Sequence, residues 1–168
     1  FENNSAGEWS SAGAVFVGNN CGPGFHNCSF IGNSAPEGGA IECRYTAIAS
    51  FNDCLFADNS AEDLGGAILC SNESGAYFNR CTFVGNDAPV GGAFYCRDTA
   101  VASLNSTIIA YGSGGLAVEC DGSAEVDLAI TVLWQNAGGD YVGCIEDQFG
   151  FGVNRRINPG FCDAAGGD

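Results

Sequence analysis

Apolar and polar residues alternate along this chain in blocks of four to six residues, and most blocks end on Gly, Asn or Asp. Blocks of that length are too short for stable helices, and alternation is the period of a strand that buries one face. Three kinds of block follow one another in a fixed order. The first is Cys28-Ser-Phe-Ile-Gly-Asn33, which returns as Cys54-Leu-Phe-Ala-Asp-Asn59 and Cys81-Thr-Phe-Val-Gly-Asn86, then more weakly as Thr107-Ile-Ile-Ala-Tyr-Gly112 and Thr131-Val-Leu-Trp-Gln-Asn136. The second is Gly38-Gly-Ala-Ile-Glu-Cys43, with copies ending at Cys70, Cys96, Cys120 and Cys144. The third is Ala47-Ile-Ala-Ser-Phe51-Asn52, with copies ending at Asn79 and Asn105. Phe1-Glu-Asn-Asn4 matches Phe30 to Asn33, so residue 1 is expected to fall inside a repeat, without an amphipathic capping helix before it.

Successive strong copies of the first block lie 26 and 27 residues apart. A fixed period of this size, built from strands that cannot bury their apolar faces alone, is the signature of a stacked repeat. The pattern predicts an all-β, right-handed parallel β-helix of about six coils of roughly 26 residues, with three short strands per coil. The coils are expected over residues 1–145, with 146–168 an irregular tail packed on the last coil. Each strand would lie about 4.8 Å from its copy in the next coil, so like residues stack on like. The expected interior ladders are Phe30/Phe56/Phe83 and Ile41/Ile68/Phe94/Val118/Val142. Two asparagine columns follow: Asn33, Asn59, Asn86 and Asn136 in one, Asn52, Asn79 and Asn105 in the other. Asn tolerates the left-handed backbone of a sharp corner, and stacked amides can hydrogen-bond from coil to coil. The Gly-Gly pairs read as turn glycines; no Lys or helix pattern follows them, as a phosphate loop requires.

Charge and cysteine content narrow the function. The net charge of −15 repels nucleic acid and anionic membrane surfaces. No run of 18 apolar residues is present to span a bilayer. No signal peptide is visible, so any export signal is expected to have been removed. The ten cysteines recur with the repeat, there is no CxxC pair, and the single His, His26, leaves no structural zinc set. Disulfides in an oxidising compartment are expected, and thiols packed in the core are the alternative. One scheme uses all ten residues: Cys21–Cys28, Cys43–Cys54, Cys70–Cys81, Cys96–Cys120 and Cys144–Cys162. Pairing between adjacent coils is a second geometry, and connectivity does not follow from sequence.

The Phe-x-x-Asn and Gly-Gly-Ala-Ile motifs occur in tandem, at Phe30–Asn33 with Gly38–Ile41, Phe56–Asn59 with Gly65–Ile68, and Phe83–Asn86 with Gly91–Phe94. In this they resemble the repeats of bacterial secreted and surface right-handed β-helix proteins, the polymorphic outer-membrane adhesins in particular. The resemblance covers residues 1 to about 145. The stretches Asn136–Cys144 and Asn158–Asp163 also resemble the closing segment of secreted bacterial β-helices. It implies an extracellular or cell-surface module.

Other β-helices of this kind act on polysaccharides, and a lyase needs a strong base beside calcium-holding carboxylates, or a hydrolase two paired carboxylates. Arg44 and Arg97 occupy equivalent places two coils apart, and Asp53 and Arg80 fall in one column as a surface ion pair. Asp58, Glu62, Asp63 and Asp87 cluster near the turn before Gly-Gly, which makes calcium the one cofactor considered, at a spacing unlike an EF-hand loop. His26 has no acid or nucleophile partner in sequence. No catalytic residue is therefore assigned. The expectation is a non-catalytic structural module that stacks end to end into a filament, or forms part of a longer surface β-helix. The alternatives are an adhesin for a cell surface or glycan, with Leu69 and Tyr95 facing outward between Glu42 and Glu119, and a carbohydrate-active enzyme. Of four Asn-x-Ser/Thr sequons, Asn72-Glu-Ser74 lies on a variable turn and is the best glycosylation site.

Overall fold

The computed structural model describes residues 1–7, 11–142, 145, 148, 154, 155 and 157. The three kinds of block form three walls of a parallel solenoid with about five turns. The first block gives a five-stranded sheet of β3 (Ser29–Ile31), β7 (Leu55–Ala57), β11 (Thr82–Val84), β14 (Ile108–Ala110) and β17 (Val132–Trp134). The second gives six strands: β1 (Val15–Gly18), β5 (Ile41–Arg44), β9 (Ile68–Ser71), β12 (Phe94–Cys96), β15 (Val118–Cys120) and β18 (Tyr141–Val142). The third gives β2 (Gly24–His26), β6 (Ile48–Asn52), β10 (Gly75–Asn79), β13 (Val101–Asn105) and β16 (Glu125–Ala129). Every strand pairs in parallel with its copy one coil away, so Phe30, Phe56, Phe83, Ile109 and Leu133 stand directly in line.

The interior is built from these lines. Phe1, Phe30, Phe56 and Phe83 stack ring on ring at 4.7, 4.9 and 4.6 Å. A second ladder, Phe25/Phe51/Phe78, stacks at 5.0 and 4.9 Å and meets the first edge to face. Parallel register sets ring spacing at the coil rise, so each ring has a stacked neighbour, a contact worth roughly 0.5–1.5 kcal/mol beyond burial. The Ile41/Ile68/Phe94/Val118 line forms as expected. Its last member does not: Tyr141 pairs with Val118 and Val142 with Glu119. Backbone bonds from Ala117 N to Gly139 O and from Val118 N to Asp140 O set this register, one residue away from an alignment on the cysteines.

The corners differ from expectation in a telling way. In the first Asn column the left-handed residue is the one before the column: Gly32, Asp58, Gly85, Tyr111 and Gln135, with φ between 49° and 65°. In the second it is the one after: Asp53, Arg80, Ser106 and Ile130, with φ between 52° and 55°. The column asparagines do not turn the chain. Asn33, Asn59 and Asn86 are buried and serve as an internal hydrogen-bond ladder. Each Oδ1 accepts from the backbone N and the Nδ2 of the preceding coil's Asn, at 3.0 and 2.9 Å for Asn33 on Asn59 and again for Asn59 on Asn86. Gly112 interrupts the amides, and its N donates instead to Asn136 Oδ1 at 3.0 Å. The Asn52/Asn79/Asn105 column lies outside the core and has only one long amide contact, 3.4 Å from Asn79 to Asn52.

A fourth segment in each coil is not evident from alternation. β4 (Ser34–Glu37) pairs with β8 (Ser60–Leu64), and isolated bridges extend the pair to Ser5, Asp87 and Val90. The chain then turns sharply at Gly-Gly and runs into the second wall. The first Gly of the three strong pairs, Gly38, Gly65 and Gly91, has φ near 60° and lies against that wall: a Cβ on Gly91 would stand 2.7 Å from Tyr95 Cβ. The second Gly meets the next coil: a Cβ on Gly66 would collide with Gly92 O and stand 2.6 Å from Asp87 O. This close cover corrects the outward patch expected at Leu69 and Tyr95. Leu69 and Glu42 are fully buried and Tyr95 nearly so.

Of the expected tail, only scattered residues are described. Gln148 Oε1 accepts from Leu128 N at 2.6 Å, Asn154 Oδ1 accepts from Thr131 N at 2.9 Å, and Arg155 pairs in parallel with Val132. Ile157 is exposed, and the remainder of 146–168 lies outside the described residues.

Candidate functional site

The densest charged cluster sits on the outside of the second wall. β5 carries Glu42 and Arg44, β4 carries Glu37, and Arg97 follows β12. Glu37 stands where the next two coils have Leu64 and Val90, so it is a local replacement of an apolar residue. Its Oε2 accepts from Arg44 at 3.3 Å and from Arg97 at 3.2 Å. One carboxylate thus joins two arginines on coils that are not neighbours, and it ties β4 to the wall. Arg44 also pairs with Glu42. Burial raises the Glu42 carboxyl above its ordinary range, by more than the neighbouring Ser11 hydroxyl and the Arg44 charge lower it. Ser71, between the arginines in the column, keeps a buried hydroxyl with no hydrogen-bond partner among the described residues.

Two carboxylates with different environments can divide acid and base roles, but here the geometry is closed. The Glu42 side chain is 0 % exposed, and Glu37 is held by both arginines. A glycosidic oxygen has no route to Glu42 in this arrangement. The cluster acts as a clasp on the wall. The sequence points to Arg44 and Arg97 as equivalent positions; it conceals Glu37, because the segment before Gly-Gly repeats but its carboxylate at this place does not, the next coils having Leu64 and Val90.

The cysteines form two columns with different chemistry. Cys28, Cys54 and Cys81 sit just past the corner that ends the third wall. The Cys54 thiol donates to Asn52 O at 3.3 Å and Phe25 O at 3.5 Å, and the Cys81 thiol to Phe51 O at 3.4 Å. Thr107 and Thr131 take the same column, and their hydroxyls donate to Asn105 O at 3.1 Å and Leu104 O at 2.9 Å. Cys and Thr therefore do one job here, satisfying corner carbonyls. Cys43, Cys70 and Cys96 form the other column, fully buried in the second wall. Burial pushes the Cys81 thiol up to about 11 and the Cys96 thiol up to about 12, so both are poor nucleophiles.

Among the described residues, Cys21, Cys28, Cys43, Cys54, Cys70, Cys81 and Cys96 are free. The expected pairs Cys21–Cys28, Cys43–Cys54, Cys70–Cys81 and Cys96–Cys120 are therefore not formed. For Cys43–Cys54 and Cys70–Cys81 the reason is topological: each cysteine stacks over its copy in the next coil instead of meeting the other column. Cys120 is disulfide-bonded, but not to Cys96. The pair Cys144–Cys162 lies outside the described residues.

The remaining candidates stay apart. Arg80 and Asp53 form the expected surface pair, bidentate at 2.7 and 2.6 Å, and Arg80 holds the Asp53 carboxyl below its usual range. His26 is exposed near that pair. Asp58, Glu62, Asp63 and Asp87 do not converge: among the described residues no three His, Cys, Asp or Glu side chains could hold one metal ion. Shallow surface troughs include one of about 340 Å³ beside Ser34, Ser60, Glu62 and Asp87, one of about 400 Å³ beside Tyr45, Asn72, Glu73 and Asp98, and one of about 350 Å³ beside Asn27, Asp53 and Arg80. Asn72 is exposed at a left-handed corner with φ 54°.

No curated protein and no solved structure matches the chain. The family model for the right handed beta helix region matches residues 1–129, the stretch that contains the Phe ladders, the Asn ladder and the clasp. The chain belongs to the right-handed beta-helix family.

Proposed function

We propose that this chain is a non-catalytic, extracellular structural module that continues by coil-on-coil stacking, into a filament of copies or a longer surface β-helix. One observation carries the reading. The interior Phe column stays in register as far as Phe1, which stacks on Phe30 at 4.7 Å while 51 % of its own surface is open. A further coil in the same register would cover that ring and pair the free edge of β1. The sealed clasp and the dispersed carboxylates support the non-catalytic part. Sedimentation and electron microscopy of the purified chain test the reading. Concentration-dependent rods that Phe1→Asp abolishes are expected; monodisperse single particles at high concentration, together with turnover of any glycan, would overturn it. Export would be accompanied by glycosylation of Asn72 where the source carries out that modification, read as a mass change lost in Asn72→Gln.

Adhesion to a glycan is the second reading. The outer face of the third wall carries Tyr77, 45 % exposed, between Ser50 and Ser103, with its ring over Gly75, whose own partners are Ile48 and Val101. An exposed ring between hydroxyls suits the apolar face and hydroxyls of a neutral sugar. Loss of glycan-array signal in Tyr77→Ala would support this reading, and an array with no signal for the parent protein would dismiss it.

A further inference from the structure

The second wall places Cys43 and Cys70 as direct partners on adjacent parallel strands. Both are fully buried, and the neighbouring Cys43 is the largest of the influences that hold the Cys70 thiol protonated. Neighbouring strands lie about 4.8 Å apart, inside the Cα separation of roughly 4.4–6.8 Å that a disulfide spans. Cys96 also lies opposite Cys70, but of the two neighbours Cys43 acts on the Cys70 thiol more strongly. The corner thiols are arranged otherwise: Cys54 and Cys81 point their protons at backbone carbonyls.

We infer that Cys43 and Cys70 are the site of a coil-to-coil disulfide that forms when the chain meets a small-molecule disulfide. One thiolate attacks that disulfide and forms a mixed disulfide, releasing one small thiol. The second thiolate attacks the protein sulfur of the mixed disulfide and releases the other. Two protein thiols are oxidised, one disulfide is reduced, and the two protons leave on the released thiols. The bond would rivet two neighbouring coils across one rung of the wall. It does not depend on the assembly or adhesion readings, because it concerns only two stacked thiols.

The experiment refolds the reduced chain in oxidised glutathione, blocks residual thiols by alkylation in denaturant, and maps peptides by mass spectrometry. Exposed Cys21 reports that the oxidant acted. A linked peptide pair containing Cys43 and Cys70 is expected in the parent and in Cys96→Ala. Oxidation should raise the thermal midpoint of the parent and leave that of Cys70→Ala unmoved; if Cys70→Ala fails to fold, the map of the parent decides alone. Alkylated Cys43 and Cys70 in a sample whose Cys21 carries glutathione would overturn the assignment, as would a Cys70–Cys96 link.

Discussion

Gly66→Ala should be among the most damaging single substitutions in the solenoid, although it adds only a methyl group. A Cβ at this position would collide with Gly92 O and stand 2.6 Å from Asp87 O, both backbone atoms of the next coil. Relief requires the two coils to part locally by about 1 Å. The bonds at stake are Gly66 N to Gly91 O at 3.1 Å, Ala67 N to Ala93 O at 3.1 Å and, through the preceding coil, Gly39 N to Gly65 O at 3.0 Å. Stretched by that amount they pass the limit of a useful hydrogen bond. Two or three bonds at about 1 kcal/mol each and an overpacking term of about 1–3 kcal/mol outweigh the gain of about 0.4–1 kcal/mol from a stiffer unfolded chain. The net loss is about 3–5 kcal/mol. Urea unfolding followed by far-ultraviolet circular dichroism measures it. Gly24→Ala is the control, since a Cβ there meets only flexible side-chain atoms of His26 and Ser50 at 3.4 Å. Gly92→Ala should fall between the two, because its nearest atom would be at 3.1 Å. Equal midpoints for Gly66→Ala and Gly24→Ala would refute the close-approach reasoning.

Three other perturbations test separate parts of the structure. Cys81→Thr should change stability by less than about 1 kcal/mol, and Cys81→Ala should lose about 1–2 kcal/mol through an unmet carbonyl, compared by denaturant midpoints under reducing conditions. Ile130 is a β-branched residue at φ 55°, so Ile130→Asn should raise stability by about 1 kcal/mol; a lower midpoint would show that the corner is not strained by its side chain. Burial raises the Glu42 carboxyl, so the fold favours its protonated form. That contribution is present below the unfolded value near 4.5 and is lost as pH rises through the folded one. Glu42→Gln should therefore be the more stable protein at neutral pH, with the difference shrinking on acidification; parallel stability profiles for the two proteins would refute this.

Much of the architecture is legible because the repeat imposes itself on side-chain type. Phe30, Phe56 and Phe83 must be alike to stack, so period and interior ladder appear together in the sequence. The corners escape the pattern because left-handed residues need only tolerate their backbone. Tyr111, Arg80 and Ile130 do so without any shared chemistry, whereas Asn33, Asn59 and Asn86 repeat because each bonds the next. The disulfide scheme fails for a similar reason. Thr107 in a cysteine column resembles a broken pair, yet it marks a position that needs a hydrogen-bond donor. The clasp is hidden because the counterparts of Glu37 in the next coils are Leu64 and Val90, and a repeat reveals only what it repeats. Alternation places Leu69 and Tyr95 on the outer side of their strand, but it cannot show that the Gly-Gly turn covers that side.

The one carboxylate shared by Arg44 and Arg97 also bears on how this molecule responds to force. Hydrogen bonds of the three walls all run along the solenoid axis, so tension along that axis peels coils one after another. Each coil that leaves releases roughly 26 residues, or about 90 Å of contour. Most coils are held only by their immediate neighbours. The coil of Arg44 is also tethered through Glu37 to the coil of Arg97, so peeling that reaches this place must break an extra link before the next coil yields. A pulled molecule should therefore pause there, at a fixed distance from its Phe1 end, and Glu37→Leu should erase the pause.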